Sequence, residues 1–85
     1  MRYDIILKPS AAKRLDKLPQ SVRRRVLGAL EALADNPRPD GCVKLRGDDN
    51  LWRIRVGDYR VVYTIEDGRK IVDITRIAHR REVYE

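Results

Sequence analysis

The chain has 85 residues, enough for one domain around a single modest core, and its 42% hydrophobic and 38% charged residues describe a globular protein with a heavily charged surface. No apolar run approaches the roughly 18 residues of a membrane span, Met1-Arg2-Tyr3-Asp4 opens into a strand pattern rather than a leader, and Cys42 has no second cysteine to bridge, so a cytoplasmic protein without membrane contact, disulfide, metal or cofactor is expected. A net charge of +6, a pI near 9.9 and a heavy excess of arginine over lysine point to an acidic partner such as nucleic acid or an acidic protein.

In chain order, Tyr3, Ile5 and Leu7 alternate with Asp4, Ile6 and Lys8 and predict a strand. Pro9-Ser10 ends it, with Ser10 as N-cap of a helix from Ala11 to Leu18 whose apolar stripe is Ala11, Leu15 and Leu18. Pro19 breaks that helix and serves as first-turn residue of a second. There Val22, Val26, Ala29, Leu30 and Leu33 repeat at helical spacing, and Arg23, Arg24 and Glu31 point away. Asn36-Pro37 stops it. A loop then leads to a short strand in which Val43 and Leu45 alternate with Lys44 and Arg46, followed by a polar turn from Gly47 to Asn50.

The segment from Leu51 to Tyr63 predicts a β-hairpin about a two-residue Gly57-Asp58 loop. That loop pairs Val56 with Tyr59, Ile54 with Val61, Trp52 with Tyr63 and Arg55 with Arg60. Taking Asp67-Gly68 as a second two-residue loop pairs Tyr63 with Val72, Val61 with Ile74 and Arg60 with Thr75, and the last strand runs from Lys70 to about Ala78. The expected architecture is a two-layer α+β domain over residues 1–85, β-α-α-β-β-β, with the helical hairpin packed on a mostly antiparallel four-stranded sheet.

By parity Lys44, Arg46, Arg53, Arg55 and Arg60 fall on the face away from the helices. Any one of them is ordinary wet surface, but a face built only for solubility would mix signs, and here Asp73, expected opposite Val62, is the one acid among the strand residues inferred on that face. Arg55 against Arg60 sets like charges together, a repulsion of about 0.7 kcal/mol at ~6 Å in a water-like dielectric and about 3 kcal/mol at an effective dielectric of ~20. A polyanion relieves it, and the guanidinium fork matches phosphate geometry. The tail adds His79, the single histidine and a candidate proton shuttle, and Arg80 and Tyr84, which reach the basic face if the chain bends after Ala78. Arg23-Arg24-Arg25 splay around a helix and read as a solvated face. No Ser/His/Asp set, glycine-rich phosphate loop or metal-ligand constellation is present.

Lys44-Leu45-Arg46-Gly47, Leu51-Trp52-Arg53-Ile54-Arg55, Gly57-Asp58-Tyr59-Arg60-Val61-Val62-Tyr63 and His79-Arg80-Arg81-Glu82-Val83-Tyr84 together resemble the RelE/ParE superfamily of bacterial toxins, in particular RelE-type messenger RNA interferases. The resemblance implies a domain that enters the ribosomal A site and cuts messenger RNA without metal, the 2'-hydroxyl attacking the adjacent phosphate to leave a 2',3'-cyclic phosphate and a 5'-hydroxyl. It implies a cognate RelB-like antitoxin, with operator DNA bound only through the antitoxin complex. Arg53 and Arg55 take the two alternating basic positions of the motif, Arg60 the arginine that stabilises charge on the scissile phosphate, Arg80 the general acid, and Tyr84 the tyrosine that orients the substrate base. Lys44, Arg46, Trp52 and Arg81 are expected to contact RNA. A guanidinium with a pKa above about 12 is a poor base, so the general base stays open between His79, Tyr84 and the ribosomal RNA. Two other readings stay open: a ParE-like inhibitor of DNA gyrase, and an inactive relative that keeps only antitoxin binding.

Overall fold

Alternating apolar residues at both ends of the chain and a helical repeat between them produce a sheet covered on one side by two helices. The computed structural model describes residues 2–47 and 50–82. Its elements are β1 (Asp4–Leu7), α1 (Pro9–Lys17), α2 (Gln20–Asp35), β2 (Val43–Lys44), β3 (Leu51–Val56), β4 (Tyr59–Glu66), β5 (Ile71–His79) and a closing 3-10 turn (Arg80–Glu82). Proline sets both helix starts. Lys8, not Ser10, is the N-cap of α1, because Pro9 occupies the first helical position, where its fixed φ fits and its missing N–H costs nothing. Pro19 is the N-cap of α2, its carbonyl accepting from the Arg23 N–H at 2.8 Å, rather than a residue of the first turn.

The sheet has five strands in the order β1-β5-β4-β3-β2, with β1 parallel to β5 and all other neighbours antiparallel. The expected count of four omitted the two-residue β2, which pairs with β3 and is a true member of the sheet. Ala11, Leu15, Leu18, Val26, Leu30 and Leu33 from the helices bury against Ile54, Val56, Val61, Tyr63, Ile65, Val72, Ile74 and Ile77 from the sheet. The Tyr63 hydroxyl, wholly inside, donates to the Pro37 carbonyl at 2.7 Å and so joins the sheet to the loop after α2.

The β3–β4 register is the expected one, pair for pair, from Val56↔Tyr59 to Trp52↔Tyr63. The β4–β5 register is not. The connection spans four residues, 67–70, with Lys70 in the left-handed region at φ 56, so Tyr63 pairs with Ile74 rather than Val72. A β-bulge follows: Tyr63 opposes Ile74 but Val62 opposes Arg76, leaving Thr75 as the extra residue, its hydroxyl donating to the Val62 carbonyl at 3.1 Å. A one-residue slip exchanges the two faces of everything beyond it. Ile77 is thereby turned into the core at 3% exposure, Arg76 and Ala78 arrive on the opposite face, and His79 leaves it.

The start of β5 is fastened by Asp67, which accepts from the Tyr3 hydroxyl and, through both oxygens, from Arg38 at 3.3 and 3.0 Å. Arg38 first and Tyr3 second hold this carboxyl at about 2, against 3.8 for an ordinary aspartate. A depressed folded value contributes stability that is fully present above the unfolded value and lost as pH falls through the folded one. Asp67→Asn is therefore expected to lower the melting temperature at neutral pH, with the gap to wild type closing as pH drops from about 4 to about 2. A gap that stays constant through that window in thermal melts would assign the loss to something that does not titrate.

Candidate nucleic-acid interface and catalytic face

The face away from the helices is carried by the residues that alternate with the core: Arg53 and Arg55 on β3, Arg60 and Val62 on β4, and, after the bulge, Arg76 and Ala78 on β5. Arg55 and Arg60 lie directly opposite each other, and Arg53 lies opposite Val62. The middle of this face is not wet surface. Arg53 is 5% exposed, Val62 6% and Ala78 1%, whereas Arg55 is exposed and Arg60 half-buried. Arg53 and Arg55 line a cleft of about 440 Å³ with Asp40, Gly41, Val43 and Ile54. A guanidinium in a part-desolvated cleft acts more strongly on a phosphate than the same group in open water. Asp73, the acid expected opposite Val62, instead opposes Thr64, and its carboxylate lies 3.1 Å from Lys8 Nζ.

The β3–β4 turn gathers further arginines. Arg60 Nη1 donates to the carbonyls of Gly57 at 3.4 Å and Tyr59 at 3.2 Å. The backbone N–H of Arg80 donates to the Asp58 carbonyl at 2.7 Å, and its Nε lies 3.9 Å from the Asp58 carboxylate in an exposed pair. Arg25 reaches the same turn from α2: a β-carbon on Gly57 would sit 3.0 Å from Arg25 Nη1. The sequence pattern assigned Arg25 to a solvated helix face, and no local signal shows that α2 passes beneath this hairpin. Arg25, Arg60 and Arg80 thus meet at one end of the sheet although they are far apart in the chain.

Several expected residues lie elsewhere. Lys44 pairs with Trp52, so both project from the helix side of the sheet, and it is Val43 that shares a face with Arg53. Trp52 is half-buried there between two cations, Arg38 at 5.2 Å and Lys44 at 5.8 Å from its ring. Arg46 lies beyond β2 in an exposed turn, so strand parity gives it no face. His79 opposes Tyr59, with its ring edge-on to the tyrosine at 5.3 Å, and its Nδ1 accepts from the Arg81 N–H at 3.3 Å. The bulge has turned it from the arginine face, and one of its two ring nitrogens is engaged. Arg81 is exposed in the closing turn, and Tyr84 lies outside the described residues. Among the described residues, no three His, Cys, Asp or Glu side chains are grouped to hold a metal ion, and no helix is long and apolar enough to cross a membrane.

The family model described as ParE toxin of type II toxin-antitoxin system, parDE, matches residues 5–84. Toxin RelE of Mycobacterium tuberculosis is 37% identical over 96% of this chain and 86% of its own. Among solved structures, a chain of the archaeal RelE-RelB complex from Pyrococcus horikoshii OT3 is similar with a TM-score of 0.85 and 31% identity, covering 98% of this chain and 100% of that one. A chain of the intact Escherichia coli RelBE toxin-antitoxin complex gives 0.81 and 26%, covering 91% and 95%. The two helices packed on a five-stranded sheet are the fold this chain shares with those toxin-antitoxin structures. The chain belongs to the RelE/ParE superfamily, as a toxin of a type II toxin-antitoxin system.

Gly57 has φ 60, a conformation that costs a residue with a β-carbon about 1–2 kcal/mol. The guanidinium it would meet is the far end of a flexible side chain and can yield. Gly57→Ala is expected to lose about that much stability in urea unfolding whether or not Arg25→Ala is also present. Recovery in the double variant would place the cost in the contact with Arg25 instead of the backbone.

Proposed function

We propose that this toxin is a ribosome-dependent endoribonuclease that cuts messenger RNA in the A site by attack of a 2'-hydroxyl on the adjacent phosphate. The observation that carries this reading is the arginine arrangement: Arg55 and Arg60 opposed across one ladder rung, Arg53 buried beside them, and Arg80 bound by its backbone to the turn that joins their strands. In-line attack forms a new P–O bond to the 2'-oxygen, gathers negative charge on the non-bridging oxygens, and breaks the bond to the 5'-oxygen of the next nucleotide, which leaves with a proton as a hydroxyl. Arg55 and Arg60 stabilise the pentacovalent charge, and Arg80 supplies its donor to the departing oxygen. Guanidiniums stay charged at neutral pH, so they cannot remove the 2'-hydroxyl proton. With His79 opposite Tyr59 on the other face, the base comes from the tail at Tyr84 or from the ribosome, and a base from the ribosome would make free RNA a poor substrate. The RelB complexes of its relatives support a RelB-like antitoxin as cognate partner, with operator DNA reached through that complex.

The ParE description of the matching family favours one competitor, inhibition of DNA gyrase without RNA cleavage. Arg60→Ala and Arg80→Ala separate the two. Each is expected to lower messenger RNA cleavage on translating ribosomes by about 100- to 1,000-fold, the usual cost of one transition-state donor, and to abolish growth arrest while antitoxin binding is kept. Growth arrest that survives both substitutions with messenger RNA intact would decide for gyrase or another target. Purified toxin is also expected to cut messenger RNA in translating ribosomes far faster than the same RNA alone, and equal rates in a gel assay would contradict ribosome dependence.

A further inference from the structure

Arg80 opens the turn that follows the last strand, outside the ladder that holds the sheet, so its place has to be fixed by other contacts. β1 stops at Leu7, opposite Ile74, so the rest of β5 runs on beyond it, and a cleft of about 510 Å³ separates it from α1, lined by Lys13, Arg14, Lys17, Thr75 and Arg76 among others. The closing turn is fastened beside this opening. Arg14 of α1 grips the Glu82 carboxylate with both nitrogens, Nη2 to Oε1 at 2.6 Å and Nη1 to Oε2 at 3.1 Å. Oε1 also accepts from the His79 N–H at 3.0 Å, and the Glu82 carbonyl accepts from Arg76 Nη2 at 2.8 Å. Arg80 sits between these bonds and its own N–H bond to Asp58, while its side chain is exposed with a long 3.9 Å ion pair. Its place at the hairpin end is therefore set by the backbone of the turn, and the turn is set by Glu82.

We propose that Arg14 and Glu82 form a clasp that positions Arg80 against the arginine face, acting on cleavage only through Arg80. An exposed ion pair ordinarily contributes little, but a bidentate fork with a further N–H on the same carboxylate has the geometry that makes one effective. The same contacts, Arg14 foremost, hold the Glu82 carboxyl at about 2, so the clasp stays closed throughout the neutral range.

The inference rests on the endoribonuclease reading, and its test reads order and activity separately. Wild type, Arg14→Ala, Glu82→Gln, Arg80→Ala and the Arg80→Ala/Glu82→Gln double variant are compared as folded protein, counted by antitoxin binding. Amide hydrogen exchange at Arg80 and Arg81 reports the turn, and cleavage on translating ribosomes reports the reaction. The expected result is faster exchange in Arg14→Ala and Glu82→Gln and about a tenfold lower kcat with KM little changed. Glu82→Gln is expected to add nothing once Arg80 is alanine, and the reversed pair Arg14→Glu/Glu82→Arg to recover part of both losses. Unchanged exchange with unchanged kcat overturns the clasp, as does a further loss from Glu82→Gln in the Arg80→Ala background, since Glu82 would then act by another route. A wild type that cuts no RNA overturns the underlying activity, which is distinct from a wild type that cuts and clasp variants that cut equally well.

Discussion

The opposition of Arg55 and Arg60 across β3 and β4 is the constraint around which the rest of the molecule is arranged. A ladder normally avoids like charges directly opposite, because the repulsion subtracts from the packing that holds the strands together. Here the pair is fixed by the hairpin itself. Gly57 supplies the φ of 60 that a two-residue turn of this hand requires, and Trp52, Ile54, Val56, Tyr59, Val61 and Tyr63 commit the other face to the core. Neither strand can slip by one residue to relieve the charges without carrying that apolar set into water. The burial of the core face therefore fixes the register that sets Arg55 against Arg60.

Arginine serves two purposes in this chain. On the outer face Arg53, Arg55 and Arg60 share one side of the β3–β4 hairpin. At both ends of β5 it is used as a fastener: Arg38 with Asp67 at the start, Arg14 with Glu82 at the finish, each a fork on a carboxylate whose pKa falls to about 2. β5 lies between β4 and β1, paired to β4 along its length except at Thr75 and to β1 over residues 71–74, and the two forks stand at its two ends. Its bulge at Thr75 decides which residues stand with the arginines, admitting Arg76 and Ala78 and excluding His79.

The β3–β4 half of the fold was legible because its information is local: Gly57-Asp58 fixes the loop length, and strict alternation does the rest. The helices were legible from their stripes, with only the starts misplaced by one or two residues: Pro9 at the first helical position moves the α1 cap from Ser10 to Lys8, and Pro19 caps α2 instead of entering its first turn. The β4–β5 pairing failed because Asp67-Gly68 imitates a two-residue loop while the actual connection extends through Lys70. A signal for the bulge was nevertheless present, since the apolar spacing runs Val72, Ile74, Ile77 rather than Val72, Ile74, Arg76. Lys44 went to the wrong face because the alternation of Val43 and Leu45 suggests an inward Val43, whereas Val43 is exposed, shares a face with Arg53, and only Val43 and Lys44 pair with β3. Arg25, Arg14 and the parallel docking of β1 on β5 depend on where elements meet in space, and no window along the chain contains that.

The most direct test of the account is the chemistry of the RNA ends. Inducing the toxin without its antitoxin and mapping the new 5' ends of cellular messenger RNA is expected to find cuts within translated codons that carry a 5'-hydroxyl, with a 2',3'-cyclic phosphate on the upstream fragment. Ends carrying a 5'-phosphate, or growth arrest with no new ends at all, would contradict 2'-hydroxyl attack on an arginine-stabilised phosphate.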